Sequence, residues 1–149
     1  MKRILIVEDN QKKLEKLRAF LEGEYPHIKL EERTSYNSAS KEIALNHADY
    51  DLILLDMSMQ TYDISSEESG GEPEPLAGKN ILKQMYLREI STKVIVVTMY
   101  ENYVDGTRIK QLDEELTLDY PENYFGYIFF SHKNFDWALN LKESINKLL

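Results

Sequence analysis

Three short stretches of the chain are apolar at every position: Ile4-Leu5-Ile6-Val7, Leu52-Ile53-Leu54-Leu55 and Val94-Ile95-Val96-Val97. Runs this short and this rich in branched side chains predict strands buried on both faces. Tyr127-Ile128-Phe129-Phe130 predicts a last strand of the same kind. A weaker strand is expected over His27 to Arg33, where Ile28 and Leu30 alternate with charge. Between the strands the apolar positions recur at helical spacing. Leu14, Leu17 and Leu21 follow a capping residue, Asn10, and their helix ends at Gly23 and Pro26. Ser38 through His47 predicts a second helix with Ala39, Ile43 and Ala44 inward. Ile81, Leu82, Met85, Tyr86 and Ile90 mark a third, and Trp137, Leu141, Ile145 and Leu148 a final one. The stretch from Tyr100 to Asn123 shows a weaker pattern, with one helix around Ile109 to Leu116.

Five strands separated by helical crossovers must run parallel, because each crossover returns the chain to the same end of the sheet. Apolar strands need helices on both faces. The expected fold is therefore α/β, a doubly wound five-stranded parallel sheet of (βα)5 type. With strand order 2-1-3-4-5, ligands bind beyond the carboxyl ends of the strands where the order reverses. The 149 residues make one domain, 1–149, with long loops at 57–77 and 100–123. Thr61 to Ala77 holds Asp63, Glu67, Glu68, Glu72 and Glu74 and no basic residue, and is read as a mobile loop. Tyr100, Tyr103, Tyr120 and Tyr124 are expected to pack the second loop down.

Charge narrows the function. Eighteen Lys and Arg stand against 26 Asp and Glu, a net charge of -8. That disfavours direct binding to nucleic acid, where cationic contacts to phosphate supply most of the affinity. With no cysteine there is no disulfide, thiolate metal site or thiol nucleophile. No apolar run approaches the ~20 residues that cross a bilayer, so no membrane insertion is expected. Met1-Lys2-Arg3 followed by four apolar residues and then acids is not a signal peptide, and an intracellular setting is the simpler expectation.

The candidate chemistry lies at the strand ends. Glu8 and Asp9 end the first strand and Asp56 ends the third, its neighbour at the switch point. Acids at strand ends can simply cap the next helix, which accounts for one or two of them. Three carboxylates converging on one rim repel unless a cation neutralises them, and oxygen-only ligands suit Mg²⁺. Thr98 ends the fourth strand on the same rim, where a hydroxyl can donate to an oxyanion. His27, His47 and His132 have no metal-ligand spacing.

The segments Ile4-Leu5-Ile6-Val7-Glu8-Asp9-Asn10, Asp51-Leu52-Ile53-Leu54-Leu55-Asp56-Met57 and Val94-Ile95-Val96-Val97-Thr98 resemble the receiver domain of bacterial two-component response regulators. Leu76-Ala77-Gly78-Lys79-Asn80-Ile81-Leu82 is similar to the start of that family's third helix. The resemblance covers nearly the whole chain outside the two loops. It implies a flavodoxin-like fold, a cytoplasmic location and a phosphorelay role. Asp56 would accept a phosphoryl group from a histidine kinase or phosphotransfer protein. Glu8, Asp9, Asp56 and the backbone carbonyl of Ser58 would hold Mg²⁺. Thr98 would contact the phosphoryl group, and Tyr127 falls where the family often has a switch aromatic. Output would pass through contact with a downstream protein target. The chain would be a phosphoacceptor that assists its own Mg²⁺-dependent phosphorylation and dephosphorylation rather than an enzyme. A Mg²⁺-dependent hydrolase on a similar fold lacks any evident base beyond the same acids.

The chain also departs from the family. A lysine is expected at the end of the last strand, and two registers compete for it. In one, Tyr127-Ile128-Phe129 fills the strand, Phe130 takes the lysine position, and Lys133 reaches back from the following helix if it supplies the ammonium at all. In the other, Lys133-Asn134-Phe135-Asp136 matches the family's pattern and Phe130 becomes the switch aromatic. The second buries Ser131 and His132 in a strand, which is costly unless they are paired. Met99 stands where the family prefers a small residue, and the acidic loop lies beside an acidic site. These departures favour the alternative of a degenerate receiver, a phosphorylation-independent interaction module.

Overall fold

The computed structural model describes residues 2–100 and 108–149. The elements in order are β1 (Arg3–Val7), α1 (Gln11–Glu24), β2 (Lys29–Arg33), α2 (Tyr36–Asn46), β3 (Leu52–Leu55), β4 (Met59–Gln60), β5 (Pro73–Glu74), α3 (Ala77–Leu87), β6 (Lys93–Thr98), α4 (Ile109–Asp119), β7 (Tyr124–Phe129) and α5 (Asp136–Leu148). Five strands form one sheet of order β2-β1-β3-β6-β7, with every neighbouring pair parallel. Counted among themselves, these strands run 2-1-3-4-5, so β1 and β3 meet where the winding reverses.

The continuous apolar runs have a direct cause. Leu5, Val7, Ile53, Leu55, Val94 and Val96 pack on one side, against α2, α3 and α4. Ile4, Ile6, Leu52, Leu54, Ile95 and Val97 pack on the other, against α1 and α5. Alternate side chains thus serve two cores, and both must be apolar. Burying each of these aliphatic side chains contributes roughly 1.5–3 kcal/mol. The few polar groups buried beside them, Glu8, Lys13, Ser35, Asp56, Thr98 and Asn123, need partners to be tolerated there.

Several elements differ from the sequence expectation. The acidic stretch is not a featureless loop: β4 and β5 pair antiparallel, Met59 opposite Glu74 and Gln60 opposite Pro73. Met59 anchors it in the core, and polar contacts shape the rest. The Tyr62 N–H donates to Gly70 and the Ser65 N–H to Glu68, while the Asn37 N–H from α2 donates to the Thr61 carbonyl at 2.8 Å. Thr34 and Ser38 both donate to the Asp63 carboxylate, at 3.1 and 3.0 Å. The third helix begins at Ala77, a turn before its apolar stripe, and the second at Tyr36, where Ser35 caps it.

The last strand starts three residues early, at Tyr124, and carries an irregularity: Val94 pairs with Tyr124 but Val96 with Tyr127. One extra residue on β7 is accommodated at Gly126, whose φ of 107° suits glycine. Tyr120 and Tyr124 are buried and Tyr100 is exposed; the expectation for Tyr103 lies outside the described residues. No helix among the described residues is long and apolar enough to cross a membrane.

Candidate functional site

The ladder of the sheet continues one residue past β1 and β3. The Glu8 N–H donates to the Arg33 carbonyl and the Asp56 N–H to the Val7 carbonyl, both at 3.0 Å. These bonds pin both acids to the carboxyl rim. One carboxylate oxygen from each of Glu8, Asp9 and Asp56 lies within 4.8 Å of the others. They line a cavity of about 390 Å³ together with Ser58, Met59, Gln60 and Met99. The hairpin forms part of this wall, and the Gln60 N–H donates to Asp9 Oδ2 at 3.0 Å. The Met57 N–H donates to Asp56 Oδ1 at 2.8 Å.

Thr98 is buried at the end of β6, and its Oγ1 accepts from the Tyr100 N–H at 3.1 Å. The structure therefore brings Glu8, Asp9, Asp56, Ser58 and Thr98 to one rim. It does not bring Lys133 there. Lys133 is exposed between β7 and α5, its N–H capped by the Ser131 hydroxyl, and it makes no ion pair among the described residues. Tyr127 is half-buried beside Val96 in β7. Phe129 pairs with Thr98, so Phe130 is the residue that leaves the strand. Its ring is buried against Trp137, 4.8 Å between centroids.

A residue that sequence reasoning missed sits among the acids. Asn10 caps α1 by accepting from the Lys13 N–H at 2.9 Å, and the first helical turn sends the Lys13 side chain inward, 1 % exposed. Its Nζ lies 2.5 Å from Glu8 Oε1 and 3.4 Å from Asp56 Oδ1. It donates to the Val97 carbonyl at 2.6 Å. Its signal was present in the sequence: Lys13 precedes Leu17 by four, on the buried stripe of the helix.

Burial alone would push the Lys13 ammonium down, but the carboxylates of Asp56 and Glu8 outweigh it and hold its pKa above the usual value. Burial pushes the Glu8 carboxyl up to about 9, helped by the charge of Asp56 and opposed by Lys13. Burial also raises Asp9, against the hydrogen bond from Gln60. Three carboxyl groups thus crowd round one buried ammonium, and their all-oxygen donors and the roomy cavity fit a hydrated divalent cation that would displace the Glu8 proton.

Gly78 closes the floor of the site. Its N–H donates to the Met57 carbonyl at 2.9 Å. A Cβ there would stand 2.8 Å from the Asp56 carbonyl oxygen and 3.1 Å from Met57 Cα. Gly78→Ala is expected to displace the Asp56–Met57 backbone and cost about 1–3 kcal/mol, the usual range for overpacking. Urea unfolding checks this; unchanged stability would show that the helix can move away.

The family model described as response regulator receiver domain matches residues 4–121. The chain is 30% identical over 150 residues to the Detocs response regulatory protein DtcB of Enterobacter cloacae (strain JD6301), covering 98% of this chain and 99% of that protein. It is 31% identical over 146 residues to the uncharacterized protein y4jR of Sinorhizobium fredii, with 94% of each covered. Among solved structures, the response regulator TrrA of Thermotoga maritima, in complex with Mg²⁺-BeF, aligns over 100% of both chains with a TM-score of 0.62 and 24% identity. A CheY-like receiver domain protein of Methanospirillum hungatei aligns over 99% of this chain and 92% of its own, with a TM-score of 0.63 and 20% identity.

Proposed function

Because the chain belongs to the response regulator receiver family, we propose that Asp56 accepts a phosphoryl group from a histidine kinase or phosphotransfer protein. The resulting state is passed on by contact with a downstream protein. The observation that carries this reading is the position of Asp56. It lies on the rim of a cavity at the switch point, within 4.8 Å of two further carboxylates. An Asp56 oxygen forms the new O–P bond as the N–P bond of a phosphohistidine breaks. The electron pair stays on the imidazole nitrogen, and the ring leaves neutral because its other nitrogen carries the proton.

Phosphoryl transfer needs little covalent work from a protein beyond positioning and charge neutralisation. Glu8, Asp9 and Asp56, with the Ser58 carbonyl, would hold Mg²⁺, whose charge offsets that of the incoming group. The chain's own residues hold the geometry. The Val7 carbonyl and the Met57 N–H fix the backbone and one oxygen of Asp56, and the Gln60 N–H orients Asp9. Thr98 supports the same rim from β6.

The alternative, a phosphorylation-independent interaction module, is favoured by the wall of the cavity, where Met99 and the hairpin residues Met59, Gln60, Ser69, Gly71 and Pro73 stand beside the acids. Acetyl phosphate with Mg²⁺ separates the two. Intact-mass spectrometry is expected to show one added phosphoryl group on the wild type and none on Asp56→Asn. A folded wild type that stays unlabelled rejects phosphoacceptance and leaves the interaction module.

A further inference from the structure

We propose that Lys13, delivered by the first turn of α1, is the cation that neutralises the phosphoryl group taken up by Asp56, an assignment that rests on Asp56 being a phosphoacceptor. A lysine ammonium has three protons to donate. Two are committed to short contacts, 2.5 Å to Glu8 Oε1 and 2.6 Å to the Val97 carbonyl. Among the described residues, the third has only the 3.4 Å approach to Asp56 Oδ1. That weakly used donor lies beside the nucleophile, where an oxygen of a group bonded to Asp56 can receive it.

The end of the last strand cannot do this work. Phe130 stands there, apolar and buried, with its ring centroid 5.9 Å from the Lys13 Nζ. The ring excludes water from one side of the ammonium, and a charge in a dry site acts more strongly than a hydrated one. Lys133 is exposed. Among the described residues, Lys13 is the basic side chain that lines the cavity.

With acetyl phosphate as donor the step balances without a proton. An Asp56 oxygen forms the O–P bond, the acyl O–P bond breaks, and its electron pair leaves on acetate. The phosphoryl oxygens keep their negative charge, and Lys13 meets it.

The test compares Mg²⁺-dependent labelling rates of the wild type, Lys13→Gln and Lys13→Gln/Phe130→Lys. Glutamine keeps much of the length and a hydrogen-bond donor but removes the charge; melting curves confirm that each protein is folded. Lys13→Gln is expected to label at least about tenfold more slowly, a difference of about 1.4 kcal/mol in barrier. Restoring an ammonium from the strand end in the double variant is expected to recover most of the rate. Wild-type labelling by Lys13→Gln overturns the assignment while leaving phosphoacceptance intact. A slow single variant with no recovery in a folded double variant makes Lys13 structural and overturns it too. An unlabelled wild type rejects the phosphoacceptor reading itself.

Discussion

Lys13→Met is expected to cost the metal-free chain about 3–5 kcal/mol, the usual penalty for removing one partner from a buried ion pair. The methionine fills similar space, so lost packing contributes little. What remains is a pair of buried carboxyl groups, Glu8 and Asp56, without the ammonium that both approach. Urea unfolding in chelator at pH 8 measures the cost. A loss below about 1 kcal/mol at pH 8, the scale of an exposed pair, would show that the site is hydrated.

Stability of the metal-free chain is expected to fall by several kcal/mol as pH rises from about 4.5 to 9. The Glu8 carboxyl, ordinarily at 4.5, is raised to about 9 in the fold, with burial as the first cause. Between those values the native chain holds a proton that the unfolded chain has released, so stability decreases with pH. The contribution is complete below 4.5 and gone once pH passes through 9. Asp9 is raised as well and acts with the same sign. Glu8→Gln should flatten the curve because it cannot titrate. Millimolar Mg²⁺ should flatten it also, since a cation on the carboxylates takes the place of the proton. A wild-type curve that rises from pH 5 to 8 in chelator would refute this ordering of effects.

The parts of the molecule legible in the sequence are those whose signal is local. Ile4 to Val7, Leu52 to Leu55 and Val94 to Val97 are apolar throughout because two cores claim them. The acids that end the first and second of these runs inherit their position from the strands. The hairpin was not legible, since the Asn37, Tyr62 and Asp63 contacts that shape it involve backbone and polar groups with no periodicity.

Lys13 was missed for a different reason. Leu14, Leu17 and Leu21 already explained the helix, and a Lys-Lys pair reads as a solvated face. The four-residue spacing to Leu17 puts Lys13 on the buried stripe, and its placement in the fold shows that the stripe ends at the acids. The start of β7 was hidden by Gly126 and the exposed Phe125, which break the alternation where the extra residue is absorbed.

The burial of Lys13 depends on parts of the chain made far apart in time. Glu8, Asp9 and Lys13 emerge within a few residues of one another and Asp56 soon after. The carbonyl that receives the ammonium belongs to Val97, and the ring that covers it belongs to Phe130, near the end. While the chain is being synthesised, the charged groups meet in water, where their attraction is weak. Arrival of Phe130 at the end of the last strand covers one side of the ammonium and strengthens that attraction. The step closes a loop over most of the chain, which makes it entropically the most expensive contact of the site. The surroundings of an ammonium encoded at residue 13 are thus completed only by Val97 and Phe130.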